Sequence, residues 1–77
     1  MQTIKKIREQ CGLTQKRAAW RLRITLSYLS QIERGLKEPK DKLKEKMCAL
    51  YGKDIATIFY ALKESRKIRE RKNKKND

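Results

Sequence analysis

The sequence predicts a compact, all-α domain of five helices followed by a basic C-terminal tail. Apolar residues recur at helical spacing in five stretches, several of which begin after a capping residue and end at a glycine. The 77 residues suffice for one small domain, which we expect over residues 1–64. Residues 65–77 carry seven basic and two acidic side chains and one sizeable apolar group, Ile68, so we expect a largely disordered tail.

The first predicted helix spans residues 3–11 and ends at Gly12. Its apolar residues lie at i, i+3 and i+7, at positions Ile4, Ile7 and Cys11. Arg8 is adjacent to this stripe. On the residue pattern alone, it is an arginine whose aliphatic stem covers apolar surface while its charge stays in water.

The stretch TQKRAAWRLRITLSYLSQIERG, from Thr14 to Gly35, predicts two short helices of about nine to ten residues joined by a tight corner. Thr14 and Thr25 can accept hydrogen bonds from free amides of the first turns, and Gly35 can close the second helix in a left-handed conformation. This is a helix-turn-helix pattern. Its first helix, over residues 15–22, is expected to pack through Ala18, Ala19 and Leu22.

The helix after the corner has two chemically different sides. Leu29 and Ile32 form an apolar side, and the opposite side carries Ser27, Ser30, Gln31 and Arg34. A polar side of this kind is usually a solvated surface. Hydroxyl, amide and guanidinium groups also pair with base edges and phosphates, so the same side fits a recognition helix, and the context must decide between the two.

A loop with the sequence LKEPKD follows, and Pro39 breaks the helical pattern within it. Three lysines cluster in and just after this loop, at positions Lys37, Lys40 and Lys42. Lysines in a loop usually serve solubility alone, but a loop beside a recognition helix is also well placed to hold phosphates.

Two further helices complete the predicted domain. The fourth begins at Lys40 or Asp41 and ends at Tyr51, and its apolar stripe consists of Leu43, Met47, Leu50 and Tyr51. Asp54 caps the fifth, whose stripe consists of Ile55, Ile58, Phe59 and Leu62. We expect part of this last stripe to close the core.

Composition favours a polyanionic partner and argues against catalysis. The 22 basic residues exceed the 9 acidic ones and give a net charge of +13. An anionic membrane is the rival partner, but no long apolar run or signal peptide is present, so we expect a cytoplasmic protein that does not bind membranes. With no histidine, two cysteines (Cys11 and Cys48, interpreted as reduced small hydrophobes) and no phosphate-binding loop, we expect no enzyme activity, metal or cofactor.

Residues 4–59 resemble the phage repressor and Cro-like helix-turn-helix family, also called XRE-like, without gaps. The resemblance rests on Ile4, Ile7 and Arg8, on the LTQ that opens the second helix, and above all on SYLSQIERG at residues 27–35. That last segment is especially similar to the recognition helices of SinR-type repressors and restriction-modification controller proteins. The resemblance implies a repressor-like DNA-binding domain, an ion pair between Arg8 and Glu33, and a dimer contact through the fifth helix with Tyr60.

Two positions depart from the family pattern. Ala18 stands where a leucine is usual, and Arg23 stands where the corner normally has a glycine, so we expect a strained or reshaped corner. Trp20 occupies a position that is usually polar and outward. We expect it to fill the room left by Ala18, and the alternative is a contact with another protein.

The candidate DNA contacts follow from a recognition helix whose N-terminal half faces the base edges in the major groove. The base-contacting candidates are Leu26, Ser27, Ser30 and Gln31. The phosphate-contacting candidates are Gln15, Arg17, Arg23, Thr25, Tyr28, Arg34, Lys37, Lys40 and Lys42. For Gln15, the contact with the DNA backbone is what the family resemblance implies, and the alternative is a solvated first-turn residue. Tyr28 can instead shield Leu29.

Three functions are compatible with these features. The leading one is a sequence-specific binder of double-stranded DNA that regulates transcription, most simply a repressor bound as a homodimer to an inverted-repeat operator. The second is a DNA-binding antitoxin or adaptor that engages a protein through Trp20 or the fifth helix. The third is a nonspecific binder of RNA or a membrane surface, driven by charge alone.

Overall fold

Five helices connected by short loops make up the protein in a computed structural model. They are α1 (Ile4–Gln10), α2 (Gln15–Leu22), α3 (Leu26–Glu33), α4 (Asp41–Tyr51) and α5 (Ile55–Lys74). The structure describes residues 2–74, and side chains over residues 2–69. All regular structure in the described range is helical, which confirms the predicted all-α class.

Side-chain caps fix where four of the helices begin. The carboxylate of Asp54 accepts a hydrogen bond from the amide of Thr57 at 2.8 Å. Hydrogen bonding with Thr57, first through its side chain and then through this amide, lowers the pKa of Asp54. Threonine hydroxyls do the same for α1, α2 and α3, each accepting from the amide three residues later: Thr3, Thr14 and Thr25. The predicted caps at 14, 25 and 54 are therefore confirmed, and α2 and α3 are each eight residues long.

Every helix contributes to one core. α5 packs on α1, α3 and α4, while α2 packs between α3 and α4. The buried apolar side chains are Ile4, Ile7, Ala18, Ala19, Leu22, Leu29, Ile32, Met47, Tyr51, Ile58, Ala61 and Leu62. Pro39, in the loop between α3 and α4, is also fully buried.

The prediction that Trp20 fills the room beside Ala18 is wrong. Trp20 is 70% exposed, and Ala18 is fully buried without it. Two residues along an α-helix correspond to a rotation of about 200°, so when Ala18 faces the core Trp20 must face away from it.

Three residues of the predicted apolar stripes are also exposed. Cys11 lies beyond the end of α1, as its C-cap residue, and is therefore not part of a buried stripe. Ile55 and Phe59 are 53% and 45% exposed because α5 turns only its other apolar residues, Ile58 and Leu62, toward the core. The fifth-helix stripe thus divides into a buried part and an exposed part.

The corner between α2 and α3 adopts the conformation that a glycine would ordinarily supply. Arg23 has φ 60° and ψ 42°, and among the described residues it is the one non-glycine at positive φ. Beyond it, the amide of Ile24 donates to the carbonyl of Ala19 at 3.0 Å, which closes α2. The corner therefore keeps its shape despite the arginine, and the backbone there is strained.

The end of α3 lies directly against α5. Gly35 has φ 77°, and a Cβ at this position would come within 2.9 Å of the backbone of Ser65 and Arg66. Glu38 and Arg66 form an ion pair at 3.0 Å beside this contact. Gly35 is therefore required both for its conformation and for the close approach of the two segments.

Helix α5 continues beyond residue 64, where we expected the domain to end. Ser65 is buried, accepts a hydrogen bond from the amide of Ile4 at 3.4 Å, and donates one to the carbonyl of Ala61. The backbone remains helical to Lys74, and the last three residues of the expected tail lie outside the described range. Ser65 thus belongs to the packed domain.

Replacing Arg23 with glycine should stabilise the domain. A non-glycine in the left-handed region costs on the order of 1–3 kcal/mol, and the larger entropy of an unfolded glycine offsets part of the gain. We expect Arg23→Gly to raise the free energy of unfolding in urea by about 0.5–1 kcal/mol.

Arg21→Gly is the matched control, since it makes the same chemical change two residues away in a helical conformation. It should lower the free energy of unfolding by about 1 kcal/mol. If both variants are destabilised, the left-handed corner is not a source of strain.

Candidate nucleic-acid interface

Helix α3 presents a short polar surface on a firmly packed base. Leu29 and Ile32 are buried and attach the helix to the core. An α-helix with its side chains is about 10–12 Å across, which matches the width of the major groove of B-form DNA, about 12 Å. The dimensions of α3 therefore suit insertion into a major groove.

The four base-contacting candidates are accessible to different degrees. Ser27 is exposed and Leu26 is 47% exposed, while Ser30 and Gln31 are half-buried. Within the described residues, the side chains of Ser27, Ser30 and Gln31 make no hydrogen bond to the protein. These two hydroxyls and one amide can therefore donate hydrogen bonds to a partner and accept hydrogen bonds from it.

A buried ion pair holds the far end of α3. Arg8 of α1 donates from Nε to Glu33 Oε2 at 2.7 Å and from Nη2 to Oε1 at 3.2 Å, so the pair is bidentate. A third bond runs from Arg8 Nη1 to the carbonyl of Leu13 at 2.7 Å. Burial lowers the pKa of Arg8, but the hydrogen bonds to Glu33 and the attraction of nearby negative charges, chiefly that of Glu33, together outweigh this effect and raise the pKa overall.

Gln15 extends this pair to a third helix. Its side-chain Nε2 donates to Glu33 Oε1 at 3.1 Å, so one carboxylate connects α1, α2 and α3. Gln15 is therefore not a plain solvated residue. The bond uses one of the two N–H groups of Nε2, and the other remains able to donate to a phosphate.

Tyr51 places an unsatisfied hydroxyl in the core. The residue is 4% exposed, and its hydroxyl has no hydrogen-bond partner among the described residues. Burial raises the pKa of Tyr51, and the nearby charge of Glu33 raises it further. The phenol therefore stays neutral.

The phosphate-contacting candidates lie on the segments that flank α3 in the chain. Gln15 and Arg17 begin α2, Arg23 and Thr25 form the corner, and Arg34 ends α3. The three lysines lie in the following loop and at the start of α4, and all are exposed: Lys37, Lys40 and Lys42. The arginines at 17, 23 and 34 are exposed as well.

Thr25 and Tyr28 can each offer only part of their side chain to a phosphate. Thr25 accepts the amide of Tyr28 at 3.0 Å as the cap of α3, which leaves its O–H free to donate. Tyr28 is half-buried and packs against the core cluster, so its hydroxyl is the part suited to a polar contact.

The sequence did not indicate several of these contacts. The bond between Gln15 and Glu33 joins residues 18 apart, and that between Glu38 and Arg66 joins residues 28 apart. No pattern among neighbouring residues of the sequence predicts pairs that lie so far apart in the chain. The sequence indicated that Gly35 adopts a left-handed conformation, but it did not indicate that this residue contacts α5.

Comparison with known proteins identifies the fold independently. A family model described as "Helix-turn-helix" matches residues 4–58, which is most of the chain. The chain belongs to the Cro-like, or XRE-like, helix-turn-helix family. This is a family of DNA-binding regulators of transcription rather than of enzymes. No curated protein and no solved structure gives a significant match to this helix-turn-helix chain.

The helix-turn-helix chain shows no sign of a transmembrane segment in its described part. None of the helices within residues 2–74 combines the length and the apolarity that crossing a membrane requires.

Removing Glu33 should be much more costly than removing an exposed glutamate. Glu33→Ala leaves the Arg8 guanidinium buried without its partner, which typically costs about 3–5 kcal/mol. We expect a loss of this size in the free energy of unfolding, measured by urea denaturation.

Glu38→Ala provides the matched control, because it breaks an ion pair whose side chains are 43% and 48% exposed. Pairs of this kind contribute about 0–1 kcal/mol. Equal effects of the two substitutions would mean that the Arg8–Glu33 pair does not hold the helices together.

Proposed function

We propose that this helix-turn-helix protein is a repressor that binds an inverted-repeat operator as a homodimer, with the polar side of α3 against the base edges. The observation that supports this proposal most is the contrast between the two sides of α3. Its apolar side is fixed in the core, whereas the side chains of Ser27, Ser30 and Gln31 make no hydrogen bond within the described part of the chain. Reading DNA requires rigid placement of groups that are still free to bond.

The side chains suggest which bases α3 prefers. The Gln31 amide can pair with N6 and N7 of adenine, and the Ser27 hydroxyl can donate to or accept from several bases. Leu26 offers only apolar contact, most usefully to the methyl group of thymine. We therefore infer a preference that involves adenine and thymine.

Sequence-independent affinity comes from the basic residues around α3. Exposed arginines and lysines on α2, at the corner and in the loop after α3 are suited to contact phosphates. The basic residues of segment 65–77 add to this affinity by releasing counterions. Together these groups position the duplex, and α3 selects among sequences.

The exposed part of α5 is suited to pair two copies of the chain. Ile55 and Phe59 line a groove of about 970 Å³ between α4 and α5, together with Cys48 and Ala49. The Phe59 ring also meets that of Tyr60 edge to face, with centroids 5.5 Å apart. This is exposed apolar surface of the kind that a partner chain buries.

The charges along that groove favour a second copy of the same chain. Asp41 and Glu45 lie beside Lys44 on one wall, so acidic and basic groups alternate. Under two-fold symmetry, a mixed patch can place each acidic group opposite a basic group of the other copy. A two-fold dimer carries two copies of α3, and dimeric helix-turn-helix proteins bind half-sites about one helical turn apart.

Gln31→Ala tests the assignment of the base-reading side. We expect it to cost about 1–3 kcal/mol on the preferred duplex and to relax the preference at one base pair, with little loss on random DNA. Fluorescence anisotropy with both duplexes measures this difference.

Gln10→Ala is the control for that experiment, since it removes the same side chain from an exposed position on α1. It should leave both affinities unchanged. If Gln31→Ala weakens both duplexes equally, Gln31 positions the backbone and does not read a base.

Phe59→Lys tests the dimer. We expect the variant to be monomeric by analytical ultracentrifugation at concentrations where the parent is dimeric, and to lose affinity for an inverted repeat but not for a single half-site. The reason is that a charged side chain replaces exposed apolar surface at the centre of the proposed contact.

Thr57→Lys introduces the same charge at an exposed position away from the groove and should remain dimeric. A monomeric parent that binds the inverted repeat one chain at a time would exclude this interface.

A further inference from the structure

Trp20 is the most exposed large apolar side chain on the described surface. It projects from α2 on the side away from the core, and 70% of it is accessible. The guanidinium carbon of Arg17 lies 5.9 Å from the centre of its ring, so a cation already covers part of the indole. Trp20 takes no part in the core, and most of its indole is therefore accessible to a partner.

The indole stands between two shallow recesses. One has a volume of about 400 Å³ and is lined by Thr14, Lys16, Arg17 and Trp20. The other has a volume of about 530 Å³ and is lined by Trp20, Arg21, Arg23 and Ile24. Four cationic side chains and no acidic one contribute to these two recesses.

The uniform charge makes a second copy of the chain a poor occupant. Bringing two such surfaces together would place four cations opposite four others, and like charges in an interface are costly. The groove beside Phe59 differs in this respect, because its walls carry both signs. The two exposed apolar surfaces therefore suit different partners.

Duplex DNA can pair with the cationic side chains of this surface, but it offers little apolar surface to the indole. Its backbone supplies anionic oxygens for the lysine and the arginines, whereas its bases are stacked inside the helix and offer little apolar surface to a side chain outside the grooves. A protein segment with acidic residues and an apolar side chain supplies both. Tryptophan and arginine are also the residues that most often dominate the energy of protein interfaces.

We propose that Trp20, together with the basic recesses on either side of it, binds an acidic protein segment that carries an apolar side chain. The apolar group packs against the exposed edge and face of the indole, and the acidic groups pair with Lys16, Arg21 and Arg23. This surface lies outside the base-reading side of α3, but it includes Arg17 and Arg23, which are also candidates for phosphate contacts. The protein segment and the DNA backbone therefore compete for these two arginines.

The test begins with selection from a phage-displayed library of random 12-residue peptides against the purified protein. We expect the enriched peptides to combine acidic and large apolar residues. Since Trp20 is the one tryptophan in the chain, its fluorescence reports directly on the site, and binding of a selected peptide should shift its emission to shorter wavelengths.

Three variants separate the contributions of the indole and of the basic side chains to peptide binding. Trp20→Ala should weaken a labelled selected peptide by at least about tenfold. Arg21→Glu should weaken it by roughly three- to tenfold, whereas Lys46→Glu, the same charge reversal at an exposed position on α4, should leave its affinity unchanged. Far-ultraviolet circular dichroism confirms that each variant is folded.

The proposal is overturned if no peptide is enriched, if the enriched peptides lack acidic residues, or if they bind Trp20→Ala as well as the parent. The affinity of the same variant for duplex DNA provides the last comparison. Trp20→Ala should bind the preferred duplex with unchanged affinity, and a loss there equal to the loss for the peptide would assign Trp20 to the DNA interface instead. The outcome does not depend on whether the chain is a repressor or a dimer.

Discussion

The carboxylate of Glu33 holds together the three helices that precede the loop at Pro39. It receives two hydrogen bonds from Arg8 of α1 and one from Gln15 of α2, and it lies itself in the last turn of α3. A charged pair in the interior has a high desolvation cost, so its value lies less in net stability than in allowing one arrangement of the helices. It fixes the position of α3, and α3 is the element on which the proposed function depends.

This constraint explains why so small a core can support a defined binding surface. Apolar contacts of Leu29 and Ile32 fix the middle of α3, the Thr25 cap fixes its start, and the Glu33 network and Gly35 fix its end. Leu29, Ile32 and Glu33 are buried, whereas Ser27 is exposed and Gln31 is half-buried, and the side chains of these two make no hydrogen bond within the described residues. The helix is thus held from one side and chemically open on the other.

Local signals in the sequence predicted most of the fold. Thr14, Thr25 and Asp54 located the starts of α2, α3 and α5, and glycines at 12, 35 and 52 marked the ends of α1, α3 and α4, because these residues act through bonds and angles within a few positions. The Arg8–Glu33 contact was expected only because the chain resembles a family. The exposure of Trp20 follows from its helical spacing relative to Ala18, a local signal that the prediction overlooked. The burial of Ser65 could not be predicted, since it depends on how α5 packs against α1. The candidate DNA contacts remain inferences from chemistry and position.

Selection of bound sequences from a pool of random DNA duplexes tests the central claim most directly, which is that α3 reads base sequence. The account predicts one consensus with inverted symmetry and half-sites centred about 34 Å apart, one turn of the double helix. The consensus should change or disappear when the base-contacting candidates at 26, 27, 30 and 31 are replaced with alanine. A protein that binds the pool tightly yet enriches no sequence would contradict the account, because its affinity would then rest on charge alone.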